Sequence, residues 1–218
     1  MEYDYGSLFT EAVRSEAKGF ALSCVNGSRW YSNPLLIAMD ACFDSSGLGY
    51  FSVVFRKVNL FYEKYVKTGI IKDMESFIRK YNEIDRDSIF MNNRVWSALK
   101  DICAYVVSKK KQGHTEMQTL KEWARNAKIE SWREDSIGMI KGVGLITFQY
   151  LRMQVGENVV MPDKVILNWV VKTLKRKVDA FGCMKAVDGL SRRWGISNIE
   201  LCWAIWIQES GELGKIDI

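Results

Sequence analysis

A chain of 218 residues, 48% of them hydrophobic and eight of them tryptophan, carries enough apolar mass for a real core, which excludes disorder as its main state. That length suits one sizeable domain or two small lobes sharing a cleft. Lysine and arginine number 31 against 26 acidic residues, a formal charge of +5. Such an excess is compatible with nucleic acid but does not identify a binder.

Five cysteines, Cys24, Cys42, Cys103, Cys183 and Cys202, lie far apart, no CxxC occurs, and His114 is the one histidine. A zinc site or four-cysteine iron–sulfur cluster is not expected from that inventory; five reduced, mostly buried thiols are. The first twenty residues are too charged for a signal peptide. No apolar run approaches the ~20 residues of a membrane span, so the expectation is a soluble protein of the cytoplasm or nucleoid, with no membrane partner.

Apolar residues recur at helical spacing in Leu8 to Phe20, Leu35 to Phe43 and Phe51 to Tyr65, and then in Asp73 to Tyr81, Val95 to Val107 and Met117 to Ala127. The pattern resumes in Leu145 to Met153, Val165 to Leu174, Ala186 to Trp194 and Ile199 to Gln208. "FSVVF" and "AYVV" have β-rich compositions but sit inside these longer periods, so both read as buried helix. With only two prolines in the chain, the fold class is all-α. Local signals mark the ends: Ser32 or Asn33 before Pro34 as an N-cap, a start at Thr115-Glu116, Gly195 past a helix end, and Ser197 or Asn198 as a further cap. Glu134 and Asp135 read as exposed.

Between Ile140 and Met153 the sequence "IKGVGLITFQYLRM" predicts a helix ending near Met139, a turn on Gly142 and Gly144, and a new helix from Leu145. The unpaired amides of that new helix and its dipole are suited to a phosphate oxygen. One glycine serves the turn and the other a close backbone approach, with Val143 plugging back between the helices. An ordinary helix–turn–helix corner explains the local pattern equally well. Further on, Asp163 follows Pro162 and precedes the apolar "VILNWVV". It is placed to cap a helix, or to stand as an acid at the mouth of a cleft.

The order Ile140-Lys141-Gly142-Val143-Gly144, an amphipathic helix, a loop and Val160-Met161-Pro162-Asp163 resembles the helix-hairpin-helix DNA glycosylase superfamily, which includes endonuclease III and the 8-oxoguanine and alkyl-purine glycosylases. Asn33 to Gly47 is similar to that family's early helix, and the segment from Asn92 to Val107 to a later one. The resemblance implies two helical lobes flanking a DNA-binding cleft. The chain, 1–218, would then be a single domain with one lobe over 35–135, the hairpin at 138–146 and a second lobe from 1–34 plus 160–218. It implies a monomer acting on double-stranded DNA that contains a modified base, which is flipped into the cleft. Lys141, Gly142, Val143, Gly144, Ile146 and Thr147 would meet DNA. The carbonyls of Gly138, Ile140 and Val143 would hold a structural Na+ or K+. Asp163 would be the catalytic acid group, stabilising positive charge on the sugar and orienting or deprotonating water.

Departures from the family pattern narrow the chemistry. Bifunctional members carry a lysine nucleophile two residues after the second hairpin glycine; Ile146 stands there, so lyase activity is not expected. Lys141 replaces a proline, Lys164 a threonine and Val165 a histidine, and the cluster cysteines of endonuclease III are missing. The expected activity is monofunctional base hydrolysis without a redox or organic cofactor. "TFQYLRM" after the hairpin, joined to "VMPDK", also resembles a less-characterised branch proposed to modify thymines in phage DNA, so a base-modifying transferase is one alternative. A non-catalytic helix-hairpin-helix DNA-binding module is another. Trp30, Trp132 and Phe148 are candidates for the base pocket, and Phe43, Asp44 and Ser45 for a wedge filling the gap left by the base. Trp194, Trp203 and Trp206 are assigned to packing. The basic runs Lys109 to Lys111, Lys172 to Lys177 and Arg192-Arg193 are at most phosphate contacts, and His114 reads as a surface or capping residue.

Overall fold

The computed structural model describes residues 4–211 and 213–214; every regular element among them is helical. The expected all-α class is therefore observed. The chain forms two compact units, one built from residues 1–28 with 156–218 and the other from residues 29–155.

The first unit contains α1 (Tyr5–Leu8), α2 (Glu11–Asn26), α10 (Lys164–Leu174), α11 (Ala180–Trp194) and α12 (Asn198–Ser210). The last helix is its core, with Ile199 and every residue from Leu201 to Ile207 buried. It packs along α2, where the ring of Phe20 stacks on Trp203 at 4.3 Å, and against α10 and α11. Side-chain caps on Thr10, Asp163, Asp179 and Ser197 open α2, α10, α11 and α12. Gly195 ends α11 in the left-handed conformation, as its position predicts.

The second unit is organised around α3 (Pro34–Asp44), buried continuously from Leu35 to Phe43. A helix apolar on all sides must be enclosed, and α7 (Asn93–Lys109), α8 (Glu116–Asn126) and α9 (Leu145–Gln154) pack against it. Asn33 caps α3 by accepting from the Leu35 and Leu36 amides, with Pro34 in the first turn. Thr115 and Gln118 form the reciprocal capping box of α8. The predicted helix over Phe51 to Tyr65 is continuous but irregular: α4 (Phe55–Phe61) is flanked by π-turns at Tyr50–Val54 and Tyr62–Val66. Short helices α5 (Met74–Arg79) and α6 (Arg86–Ile89) precede α7.

One expected helix is missing. The helix predicted to end near Met139 is absent, and residues 130–142 form successive turns and bends. Asp135 explains much of this. Its Oδ1 accepts from the Ile137 and Gly138 amides and from the Trp123 indole, so backbone donors that a helix would use are drawn to a side chain. Asp135, read as an exposed acid, is instead the organiser of this segment. A side chain at Gly138 would collide with the Trp132 carbonyl oxygen.

A buried polar cluster lies within the second unit. Asp40, on α3, has no solvent exposure. Its Oδ2 accepts from Trp30 Nε1 at 2.6 Å, Tyr50 OH at 3.0 Å, Tyr150 OH at 3.2 Å and Gln154 Nε2. The Arg29 guanidinium lies 3.6 Å away and donates to Gln154 Oε1 and to the Tyr50 hydroxyl. Burial pushes the Asp40 pKa up, and Arg29 followed by these hydrogen bonds opposes the rise. Removing one partner of a buried ion pair strands the other. Asp40→Ala is therefore expected to destabilise the protein by about 3–5 kcal/mol in denaturant titration. Glu63→Ala, which breaks the exposed Lys67 pair, should leave the denaturation midpoint almost unchanged.

Candidate functional site

The hairpin belongs to the second unit. Gly142 has φ +106, and a Cβ there would press on Ala98 Cβ at 3.1 Å and on Arg94, so both conformation and packing demand glycine. Val143 is buried, and its amide donates to Ile140 O at 2.9 Å, closing the turn. Gly144 is different. Its φ of −106 suits any residue, and nothing lies within 4 Å of the position a Cβ would take. It begins α9 without contributing a side-chain cap. The first-turn amides of Leu145, Ile146 and Thr147 thus open beside free space, next to exposed Lys141 and Ile146. Thr147 itself is buried, so only its backbone is on offer to a ligand there.

Asp163 belongs to the first unit and is half-buried. Its Oδ1 accepts from the Ile166 amide at 2.7 Å as the N-cap of α10, and its Oδ2 accepts from Trp206 Nε1 at 2.8 Å. Burial raises its pKa, and these hydrogen bonds, with one from the Val165 amide, partly oppose the rise. Nearby thiols remain protonated. Burial and then the Asp163 charge push Cys183 up to about 12, and burial pushes Cys202 up to about 12. Trp206, assigned to packing from sequence, is thus the hydrogen-bond partner that orients the carboxylate. A single tryptophan at helical spacing carries no signal of that role.

The remaining candidates divide by exposure. Trp132 is half-buried, tilted against Phe148 at 6.1 Å with the Arg133 guanidinium over its ring. Phe148 is fully buried, edge-on to Trp123, and forms the floor under Trp132 rather than an open surface. Trp30 is 6% exposed and committed to Asp40, which takes it out of a base-facing position. Phe43 is also a correction: it has no exposure and stacks on Phe90 at 4.3 Å, leaving Asp44 half-buried and Ser45 exposed as the outward part of that turn. All five cysteines are buried thiols outside any disulfide. Lys111 and Arg192 are engaged with Glu122 and Asp188, and His114 lies 4.0 Å from Glu122. Among the described residues no cluster of histidine, cysteine or carboxylate side chains is arranged to hold a metal, and no helix is long and apolar enough to cross a membrane.

Residues 46–210 match the family described as "Domain of unknown function (DUF8548)". The chain belongs to that family. The match takes in both the hairpin and Asp163, whereas Arg29 and Asp40 precede it. No curated protein and no solved structure matches the chain.

Because Asp163 is both cap and carboxylate, its substitutions separate the two roles. Asp163→Asn can keep the cap through its one amide oxygen but turns an NH2 donor onto the Trp206 indole N–H, costing about 1–2 kcal/mol, whereas Asp163→Ala loses the cap as well as the indole's acceptor, costing about 2–3 kcal/mol. A raised folded-state pKa gives a stabilising contribution that is complete below about pH 4 and lost as pH rises through the folded value. Subtracting the Asp163→Asn melting curves from those of the parent between pH 4 and 8 isolates that loss from the one Asp40 contributes with the same sign.

Proposed function

We propose that this protein is a monofunctional DNA glycosylase, acting as a monomer on double-stranded DNA that contains a modified base. The observation that carries the reading is the opening of α9: Gly144 leaves the first-turn amides uncapped and the adjacent space empty, although its own conformation would tolerate any side chain. A phosphate oxygen is the ligand such a terminus accommodates, helped by the helix dipole and by Lys141. The resemblance of Ile140 to Gly144 and of Val160 to Asp163 to helix-hairpin-helix glycosylases supplies the reaction class. Cytoplasmic or nucleoid localisation goes with that role.

In this reading the extruded nucleotide presents C1′ to Asp163. As the C1′–N bond breaks, its electron pair leaves with the base and positive charge grows on the sugar, where a carboxylate stabilises it. Water adds to C1′ and gives up a proton, with Asp163 orienting it or accepting that proton. The Trp206 and Ile166 hydrogen bonds hold the carboxylate in place, and its partial burial strengthens its field on the sugar. Ile146, 36% exposed, has no amine for a Schiff base, which keeps the chemistry hydrolytic. A monovalent cation at the hairpin would be held by the carbonyls of Gly138, Ile140 and Val143. The Ile140 carbonyl already accepts from the Val143 amide and retains a second lone pair for it.

Base release from a panel of lesion-containing duplexes, with product mass analysis, tests the reaction directly. A free base and an abasic strand are expected; a mass gain on the DNA would mean transfer to the base, and an unchanged strand would mean binding alone. Asp163→Asn should lower single-turnover release by about 10²–10⁴-fold, and parental rates in that variant would overturn the mechanism. Borohydride should trap no covalent complex. Gly144→Leu, which the backbone and open space allow to fold normally, should weaken duplex binding by about tenfold or more. Equal affinity would remove the hairpin assignment.

A further inference from the structure

Two irregular pieces of backbone in the second unit meet at a pair of tyrosines. In the turn Arg29–Ser32, Trp30 (φ 51), Tyr31 (φ 58) and Ser32 (φ 58) are successive left-handed residues. Among the other described non-glycine residues only Lys175 has a positive φ. Left-handed backbone is unfavourable for any residue with a Cβ, and three in succession persist only if neighbours over-determine them. The neighbours are clear. Arg29 is buried and donates to Gln154 and Tyr50, while Trp30 donates to Asp40 and packs on Phe55 at 5.0 Å.

These anchors hold one side chain outward. Tyr31 is 62% exposed, and its ring lies on Tyr62 at 4.2 Å with 18° between the planes. Tyr62 opens the π-turn Tyr62–Val66, and its carbonyl accepts from the Lys67 amide at 2.8 Å. Single π-turns recur at functional positions because they re-aim side chains without ending a helix. An exposed aromatic adds little to a core, so core packing does not account for the strain that presents it. The surrounding stretch from Tyr50 to Lys67 carries Arg56, Lys57, Lys64 and Lys67 against a single acid, Glu63. Lys67 is paired with Glu63 at 2.8 Å and Lys64 with Asp85 at 3.5 Å, both pairs exposed and therefore weak.

We infer that Tyr31, backed by Tyr62, is a stacking platform for an unpaired nucleobase of DNA. The inference rests on the DNA-binding reading above and adds a second contact surface to it. Every base has a π-face that a phenol ring can cover whatever the sequence, and the neighbouring cations suit the flanking phosphates. An intact duplex hides those faces in its own stack. The platform therefore acts only where a gap, a bulge or an extruded neighbour leaves a base uncovered.

Fluorescence anisotropy on two DNAs of equal length, an intact duplex and one with a short single-stranded gap, tests this, with 5-iododeoxyuridine in the gap as a photocrosslinking probe. The parent should prefer the gapped DNA, and the crosslink should map to Tyr31 or Tyr62. Tyr31→Ala should lose about tenfold on gapped DNA and nothing on duplex, with an unchanged melting temperature, while Tyr31→Trp should keep the preference. Parental affinity of Tyr31→Ala for gapped DNA, or a crosslink elsewhere, would overturn the platform. If Gly144→Leu still lost duplex binding in that case, the hairpin reading would stand without it. A parent that bound neither DNA would remove both.

Discussion

Asp40 places a carboxylate at the centre of the second unit, away from water, and much of that unit is arranged so that protein groups replace its hydration. A buried charge without partners would be prohibitive, and here the donors come from separate parts of the chain: Trp30 and the Arg29 cation from the left-handed turn, Tyr50 from a π-turn, Tyr150 and Gln154 from α9. Tyr150 and Gln154 are one helical turn apart, so a single oxygen sets the rotation of α9 about its own axis. That same helix begins at Gly144. The direction in which its open first turn faces and the outward projection of Tyr31 both depend on how Asp40 is satisfied.

Asp163 shows how differently one residue type behaves elsewhere in the fold. Both carboxylates accept from an indole, Trp30 in one case and Trp206 in the other, and burial raises the pKa of both. Asp40 has no exposure and four hydrogen-bond donors crowd one of its oxygens, which suits a group that holds elements together. Asp163 is only half-buried, with one donor on each oxygen besides a weaker contribution from the Val165 amide. A carboxylate held in place but still reachable is what the proposed hydrolysis requires. Capping α10 is part of that arrangement, because the cap fixes the side-chain rotamer.

Much of the fold was legible because the signals are local. Helical periodicity located α3, α7, α8, α9, α10 and α12 closely, and short-range capping chemistry marked Asn33, Thr115, Gly195 and Ser197. The failure over 130–142 has an equally definite cause. Nothing in the neighbourhood of Asp135 indicates that its side chain will gather two backbone amides and a distant indole, and without that knowledge the segment reads as helix. Phe43, a wedge candidate, and Phe148, a base-pocket candidate, are enclosed in the core, which the sequence conceals for a related reason: aromatic character is the same in a core and in a pocket, and only the packing of Phe90 or Trp123 against them distinguishes the two.

The sequence by itself determined the all-α class, most helix boundaries, the glycine turn and a carboxylate opening α10, since each depends on spacing and on contacts within a few residues. Tertiary structure decided which groups are enclosed and which are offered to solvent. Asp40 meets donors more than a hundred residues away, Asp163 meets Trp206, and Tyr31 is lifted onto Tyr62 by a turn whose strain only the buried anchors can sustain. Those pairings depend on long-range closure of the chain, which residue periodicity does not encode.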